Sequence, residues 1–320
     1  MSDIAALVLP LFGLIFLGYL IARITKQPEQ AMGWLNTFII YAALPALFFK
    51  LLSTTPVEKL ASWDFILSNL SVTFVIFLLV FFTGLLVLRE KIPPATIQGL
   101  AAAYGNIGYM GPAIAILAFG EKAAVPVALI FCFENVMHFV IAPTCMAISG
   151  EEKRKISDLI KEIAKRVFFH PFIIATIIGV GAAFIEFSPP KPIAALIQYL
   201  AQAAAPCALF AMGVSLALRP LKRVPPELGY IVPANLVIHP LLMYVVLSWV
   251  GNFDPIWLYT AVLLAALPTA TNVYVLAQQY GVWIERASAT ILISTVSSIV
   301  TVSGLLYAVT TGMLPPDLFP

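Results

Sequence analysis

The chain has 320 residues, 61% hydrophobic and 11% charged, with a formal net charge of +2 and a mean hydropathy of +0.97. Soluble domains carry roughly 25% charged residues, so this much apolar surface needs lipid as its solvent, and the near-neutral balance excludes nucleic acid as a partner. Cys132, Cys145 and Cys207 sit singly in apolar runs, with no disulfide or metal-ligand spacing, so neither a metal nor a cofactor is implied.

A spanning helix needs about 20 mostly apolar residues. In chain order ten segments qualify: 4–22, 34–53, 65–88, 96–119, 123–148, 170–187, 193–218, 228–250, 256–280 and 287–312. The first lacks a basic leader region, is interrupted by Pro10 and Gly13, and is followed by Arg23 and Lys26 rather than a small-residue cleavage site. It reads as a retained helix rather than a signal peptide. The one long hydrophilic stretch, GEEKRKISDLIKEIAKR from Gly150 to Arg166, lies at the midpoint. It divides the chain into a five-helix repeat at 1–149, a cytoplasmic linker at 150–169 and a second, inverted repeat at 170–320.

Positive charge orients the bundle. The loops after spans one, three, five, seven and nine hold 14 Lys/Arg, against 4 on the other side: Lys50, Lys59, Lys122 and Lys191. The central loop is therefore expected in the cytoplasm, with both termini outside and the plasma (inner) membrane as the location.

A shift of 161 positions superposes Pro10 on Pro171, Gly18 on Gly179, Pro28 on Pro189, Pro45 on Pro206, Pro94 on Pro255 and Gly120 on Gly281. Each pair falls at an equivalent point of its half, as an internal duplication requires. Five spans per half is odd, so the second half enters the membrane from the opposite side. The expected fold is an all-α polytopic membrane protein of ten transmembrane helices in a 5+5 inverted repeat, an architecture of transporters.

The fourth span of each half is irregular: YGNIGYMGPAIA at Tyr104–Ala115, and AALPTATNVYVLAQQYG at Ala265–Gly281. An interior proline deletes a donor and clashes with the carbonyl four residues earlier, so Pro112 frees the carbonyl of Gly108 and Pro268 that of Leu264. Gly105, Gly108 and Gly111 each weaken the fourth span by about 1 kcal/mol relative to alanine. Freed backbone groups at membrane depth need protein or a water-filled cavity beside them. The reading is two crossed, broken helices whose second halves, starting at Pro112 and Pro268, aim a positive dipole end at an anion; a pair of ordinary proline kinks satisfied by neighbouring helices is the alternative. No Lys or Arg occupies a span centre. The candidate substrate-binding set is Asn106, Gly108, Tyr109, Gly111, Pro112, Pro268, Thr269, Thr271 and Asn272.

Glu134 and His138 form a second constellation, four apart on one face of span five. Intramembrane ionisable residues are costly and mark function, so the pair is a candidate for proton coupling; a neutral hydrogen-bonded lock between helices is the alternative. His239, beside Pro240, reads as a satisfied core histidine, and His170 as an interfacial one.

The runs LPLFGLIFLGYLIAR (Leu9–Arg23), IIYAALPALFF (Ile39–Phe49), YGNIGYMGPAIA and LPTATNVYVLAQQYG (Leu267–Gly281) resemble the auxin efflux carrier family, which includes plant PIN-formed carriers and bacterial malate or malonate permeases. The resemblance covers essentially all ten spans. It implies crossed helices in spans four and nine, dividing a scaffold from a transport domain that moves as an elevator. By motif, Asn106 falls on that family's substrate-facing asparagine, and Pro112 and Pro268 on its crossover prolines. The Glu134/His138 pair is not part of the pattern.

The expected function is secondary transport of a small organic anion, a dicarboxylate or an auxin-like aromatic acid; a homodimer is compatible with it. A sodium-coupled bile-acid-like symporter is one rival, but no cluster of acidic ligands marks the crossover. A non-transporting membrane sensor is another, but no loop is long enough for a signalling domain. An enzyme is excluded on motif grounds: there is no HExxH, no GxSxG and no paired aspartates.

Overall fold

A computed structural model describes residues 2–55, 62–150, 168–218, 224–251 and 253–316, with 157, 158, 161, 164, 165, 318 and 319 besides. Most of the expected linker at 150–169 lies outside the described residues. Among those residues the fold is helical, and the sheet-type contact is an isolated antiparallel bridge between Gly105 and Thr269.

Each of the ten apolar segments carries helix. In chain order these are α1 (Ser2–Thr25), α2 (Gly33–Phe38), α3 (Leu44–Ser53), α4 (Trp63–Phe82), α5 (Ile92–Ala103), α6 (Gly111–Phe119) and α7 (Ala124–Ile148). They continue as α8 (Pro171–Phe184), α9 (Lys191–Leu218), α10 (Leu228–Pro233), α11 (His239–Val250), α12 (Pro255–Ala265), α13 (Thr271–Tyr280) and α14 (Ile284–Thr310). Wider π-turns at Ile39–Ala43 and Ala234–Ile238 join α2 to α3 and α10 to α11, and Thr83–Val87 extends α4. Among the described residues six helical runs are long and apolar enough to cross a membrane: Gln30–Ser53, Trp63–Val87, Glu121–Ile148, Lys191–Leu218, Leu228–Val250 and Ile284–Thr310.

The chain forms two compact units, each drawing on both sides of the central stretch. The first comprises Met1–Trp63, Gly108–Cys132 and Phe168–Pro220. Here α1 and α9 cross so closely that a methyl group on Gly18 would strike the Phe210 backbone, and one on Gly213 the Ile15 backbone. In the same way α8 crosses α3, with Gly179 set against the Phe49 backbone and Leu52. The rings of Phe48, Phe131 and Phe172 cluster at centroid distances of 4.8–5.8 Å.

The second unit comprises Asp64–Ile107, Phe133–Val167 and Leu221–Pro320. Gly99 on α5 lets the Phe77 ring of α4 approach directly, and Phe65 meets Trp257 edge-on at 5.0 Å. The Arg286 guanidinium, at the start of α14, reaches Glu227 at 2.7 Å and Glu90 at 3.4 Å. Those two ion pairs tie the starts of α10 and α14 to the segment before α5.

Candidate functional site

Two helices of the second unit stop short. Helix α5 ends at Ala103 because Tyr104 leaves the helical region (φ −90°, ψ 86°). Helix α12 ends at Ala265, where Ala266 and Leu267 close a tight turn onto Val262, Leu263 and Leu264. The Leu264 carbonyl, the group Pro268 cannot serve, thus finds a donor in Leu267 N–H.

The two interruptions then pair. Asn106 N–H donates to the Pro268 carbonyl at 2.8 Å, and Ala270 N–H donates to the Tyr104 carbonyl at 2.8 Å. Gly105 sits between these bonds, where an added Cβ would lie 3.2 Å from the Leu264 carbonyl oxygen, tight enough that this carbonyl would have to give way slightly. The last carbonyls of α5 are satisfied across the same junction. Thr269 Oγ1 donates to the Ala101 carbonyl at 2.7 Å, and Asn235 Nδ2 to that of Ala102 at 2.9 Å. Buried backbone polar groups need such partners, and here a hydroxyl and an amide from distant segments supply them.

This pairing moves one expected helix start. The second half-helix begins at Thr271, not at Pro268, because Pro268, Thr269 and Ala270 are held extended by the pairing. Helix α13 starts with Ala270 as its N-cap, and no side chain caps it. Thr271 and Asn272 are half-buried in its first turn. Asn272 Nδ2 donates to the Tyr104 hydroxyl at 2.7 Å, and that hydroxyl donates to Asn135 Oδ1. The Tyr104 ring lies face to face with His138, centroids 4.0 Å apart and planes 4° from parallel.

Of the residues singled out from sequence, Asn106, Pro268, Thr269, Thr271 and Asn272 come together in this unit. Gly108, Tyr109, Gly111 and Pro112 belong to the other unit, where α6 starts at Gly111 with Pro112 in its first turn. A proline is tolerated there because that turn's N–H groups have no helical acceptor. Gly108 approaches Phe131 so closely that a Cβ would lie 3.0 Å from the ring.

Glu134 and His138 are both fully buried, but a side-chain hydrogen bond does not join them. The His138 ring has no side-chain hydrogen-bond partner among the described residues, and Glu134 Oε1 accepts instead from Thr73 Oγ1 at 2.9 Å. Thr73 Oγ1 also lies 3.2 Å from His239 Nε2. His239 is therefore not a fully satisfied core residue: its Nδ1 has no partner among the described residues.

Sequence reasoning missed Tyr104, Asn135, Thr73 and Asn235. Tyr104 opens the quoted YGNIGYMGPAIA run and Asn135 adjoins Glu134, so a search for polar groups next to the flagged ones finds both. Thr73 and Asn235 carry no such local signal.

The membrane transport protein family matches residues 3–306 of the chain. A protein of Rhizobium meliloti (strain 1021), provisionally named a malonate transporter, is 65% identical over 320 residues, the whole of both chains. An uncharacterized transporter of Methanothermobacter thermautotrophicus is 27% identical over 304 residues, 92% of this chain and 94% of that one. The uncharacterized transporter YfdV of Escherichia coli (strain K12) is 23% identical over 301 residues, 92% of this chain and 93% of its own.

Proposed function

We propose, on the premise that this chain belongs to the membrane transport protein family, of auxin efflux carrier type, that it carries a small dicarboxylate of the malonate kind across the plasma membrane as a secondary transporter. Family and relatives are multi-pass membrane transporters, not enzymes. Malonate as the substrate is supported by the name of the 65% identical relative. It is also supported by the uncapped start of α13, where backbone N–H groups and the helix dipole favour negative charge.

The observation that carries this reading is the reciprocal pairing of Tyr104–Asn106 with Pro268–Ala270. It holds the α13 N-terminus, Asn106, Thr269 and Asn272 within one compact unit, so these groups can travel together. In the proposed mechanism that unit moves through the bilayer with its anion, and the other unit stays fixed, as an elevator does. Gly108, Tyr109, Gly111 and Pro112 belong to the other unit. The fold behind it is ten spans in two inverted repeats, with the central stretch in the cytoplasm and both termini outside. Support comes from the contacts of the first unit. The shift of 161 positions that superposes Gly18 on Gly179 also superposes Phe49 on Phe210, and Gly18 packs on Phe210 as Gly179 packs on Phe49.

Binding is read by thermal unfolding of the purified protein. A ligand at a hundredfold excess over its Kd stabilises the folded state by about 2.7 kcal/mol. Malonate is expected to raise the Tm of the unaltered chain, and to raise it far less in Asn106→Ala and Asn272→Ala. Equal malonate stabilisation in both variants would remove these residues from the site.

A further inference from the structure

We infer that Thr73, Glu134 and His239 form a proton-holding relay inside the second unit, which takes up one proton when the carrier loads and releases it on the other side. This rests on the proposed movement of that unit. The three side chains come from three helices, α4, α7 and α11, and each is buried. Thr73 Oγ1 bridges the other two, at 2.9 Å from Glu134 Oε1 and 3.2 Å from His239 Nε2.

A hydroxyl has one proton to give. With Thr73 donating to Glu134, its oxygen accepts from His239 Nε2–H, which leaves His239 Nδ1 as a bare acceptor. That atom is buried with no partner among the described residues. A proton arriving at Nδ1 releases the Nε2 proton to Thr73 Oγ1, and the Thr73 proton passes to Glu134 Oε1. The products are the other neutral tautomer of His239, an unchanged threonine and a neutral carboxylic acid. Charge and protons balance with one proton gained.

The surroundings make the neutral acid the form that travels. Among the described residues no Lys or Arg pairs with Glu134; the recorded ion pairs are Lys50–Glu121, Arg286–Glu90 and Arg286–Glu227. The other titratable groups facing the relay are His138, on the same helix as Glu134 and within electrostatic reach of His239, and Tyr104, stacked on His138 and within reach of Glu134. Neither supplies a permanent positive charge. A lone carboxylate carried through the low-dielectric interior is costly, and protonation removes that cost.

Two measurements on the full chain test the relay. Infrared difference spectra between acid and alkaline pH, in lipid nanodiscs, read the Glu134 carboxyl without any substrate. A protonated-carboxyl band is expected that vanishes in Glu134→Gln, shifts its titration midpoint in Thr73→Val and returns to the original midpoint in Thr73→Ser. Proteoliposomes holding a pH-sensitive dye read coupling. Malonate uptake is expected to acidify the lumen in the unaltered chain, and to lose its pH dependence in Thr73→Val while keeping it in Thr73→Ser. A band with the same midpoint in Thr73→Val as in the unaltered chain, or malonate uptake that moves no protons, overturns the relay. If the infrared result is as expected but malonate is not taken up, the proton site stands and the proposed substrate is wrong.

Discussion

The Tyr104 hydroxyl donates to Asn135 and accepts from Asn272, while its ring lies on His138. Tyr104→Phe keeps the ring and its stacking but takes away the donor of Asn135 and the acceptor of Asn272. Losing a partner costs a buried polar group about 1–3 kcal/mol, so the variant is expected to unfold at lower temperature by a corresponding amount. Malonate protection is expected to weaken with it, because Asn272 in the first turn of α13 loses its anchor; wild-type values of both would show that the hydroxyl holds nothing in place. At this scale the sequence was partly legible. Asn106, Thr269 and Asn272 stood out as polar residues beside a proline in an apolar run, where uncompensated polarity is expensive. Asn235 did not, because its task is set by the Ala102 carbonyl, more than a hundred residues away, which needs a donor only once α5 has ended.

The helices themselves were legible from apolar length, and their interruptions from proline and glycine. The restart of the second one was not. Pro268 marks where a helix cannot run on, but pairing with the segment Tyr104–Asn106 decides how long the chain stays extended before Thr271. Packing between elements likewise turns on single glycines whose neighbours are remote in sequence. Gly213 lets α9 meet the Ile15 backbone of α1, and the obstruction is main chain, which cannot swing aside as a side chain can. Gly213→Ala is expected to cost about 1–3 kcal/mol through overpacking, seen as a lowered Tm in detergent. Gly181 on α8 has open space where a Cβ would go, so Gly181→Ala is the control and is expected to lose no stability. Equal behaviour of the two would contradict the close α1–α9 crossing.

Across the whole molecule, composition alone placed the chain in lipid, and spaced prolines and glycines pointed to a duplicated design. The division into two compact units, each drawing on both halves of the chain, was not readable from order along the sequence, since one break separates Ile107 from Gly108 in mid-motif. Carriage of the anion by one of these units is the proposal to be tested. The most direct test of that carriage is counterflow. Proteoliposomes preloaded with unlabelled malonate are given a trace of labelled malonate outside, and its accumulation is followed. The unaltered chain is expected to concentrate label transiently above the external level, with Asn106→Ala and Pro112→Ala losing the overshoot while remaining folded. Absence of counterflow by the unaltered, folded chain, or an undiminished overshoot in both variants, would contradict the account.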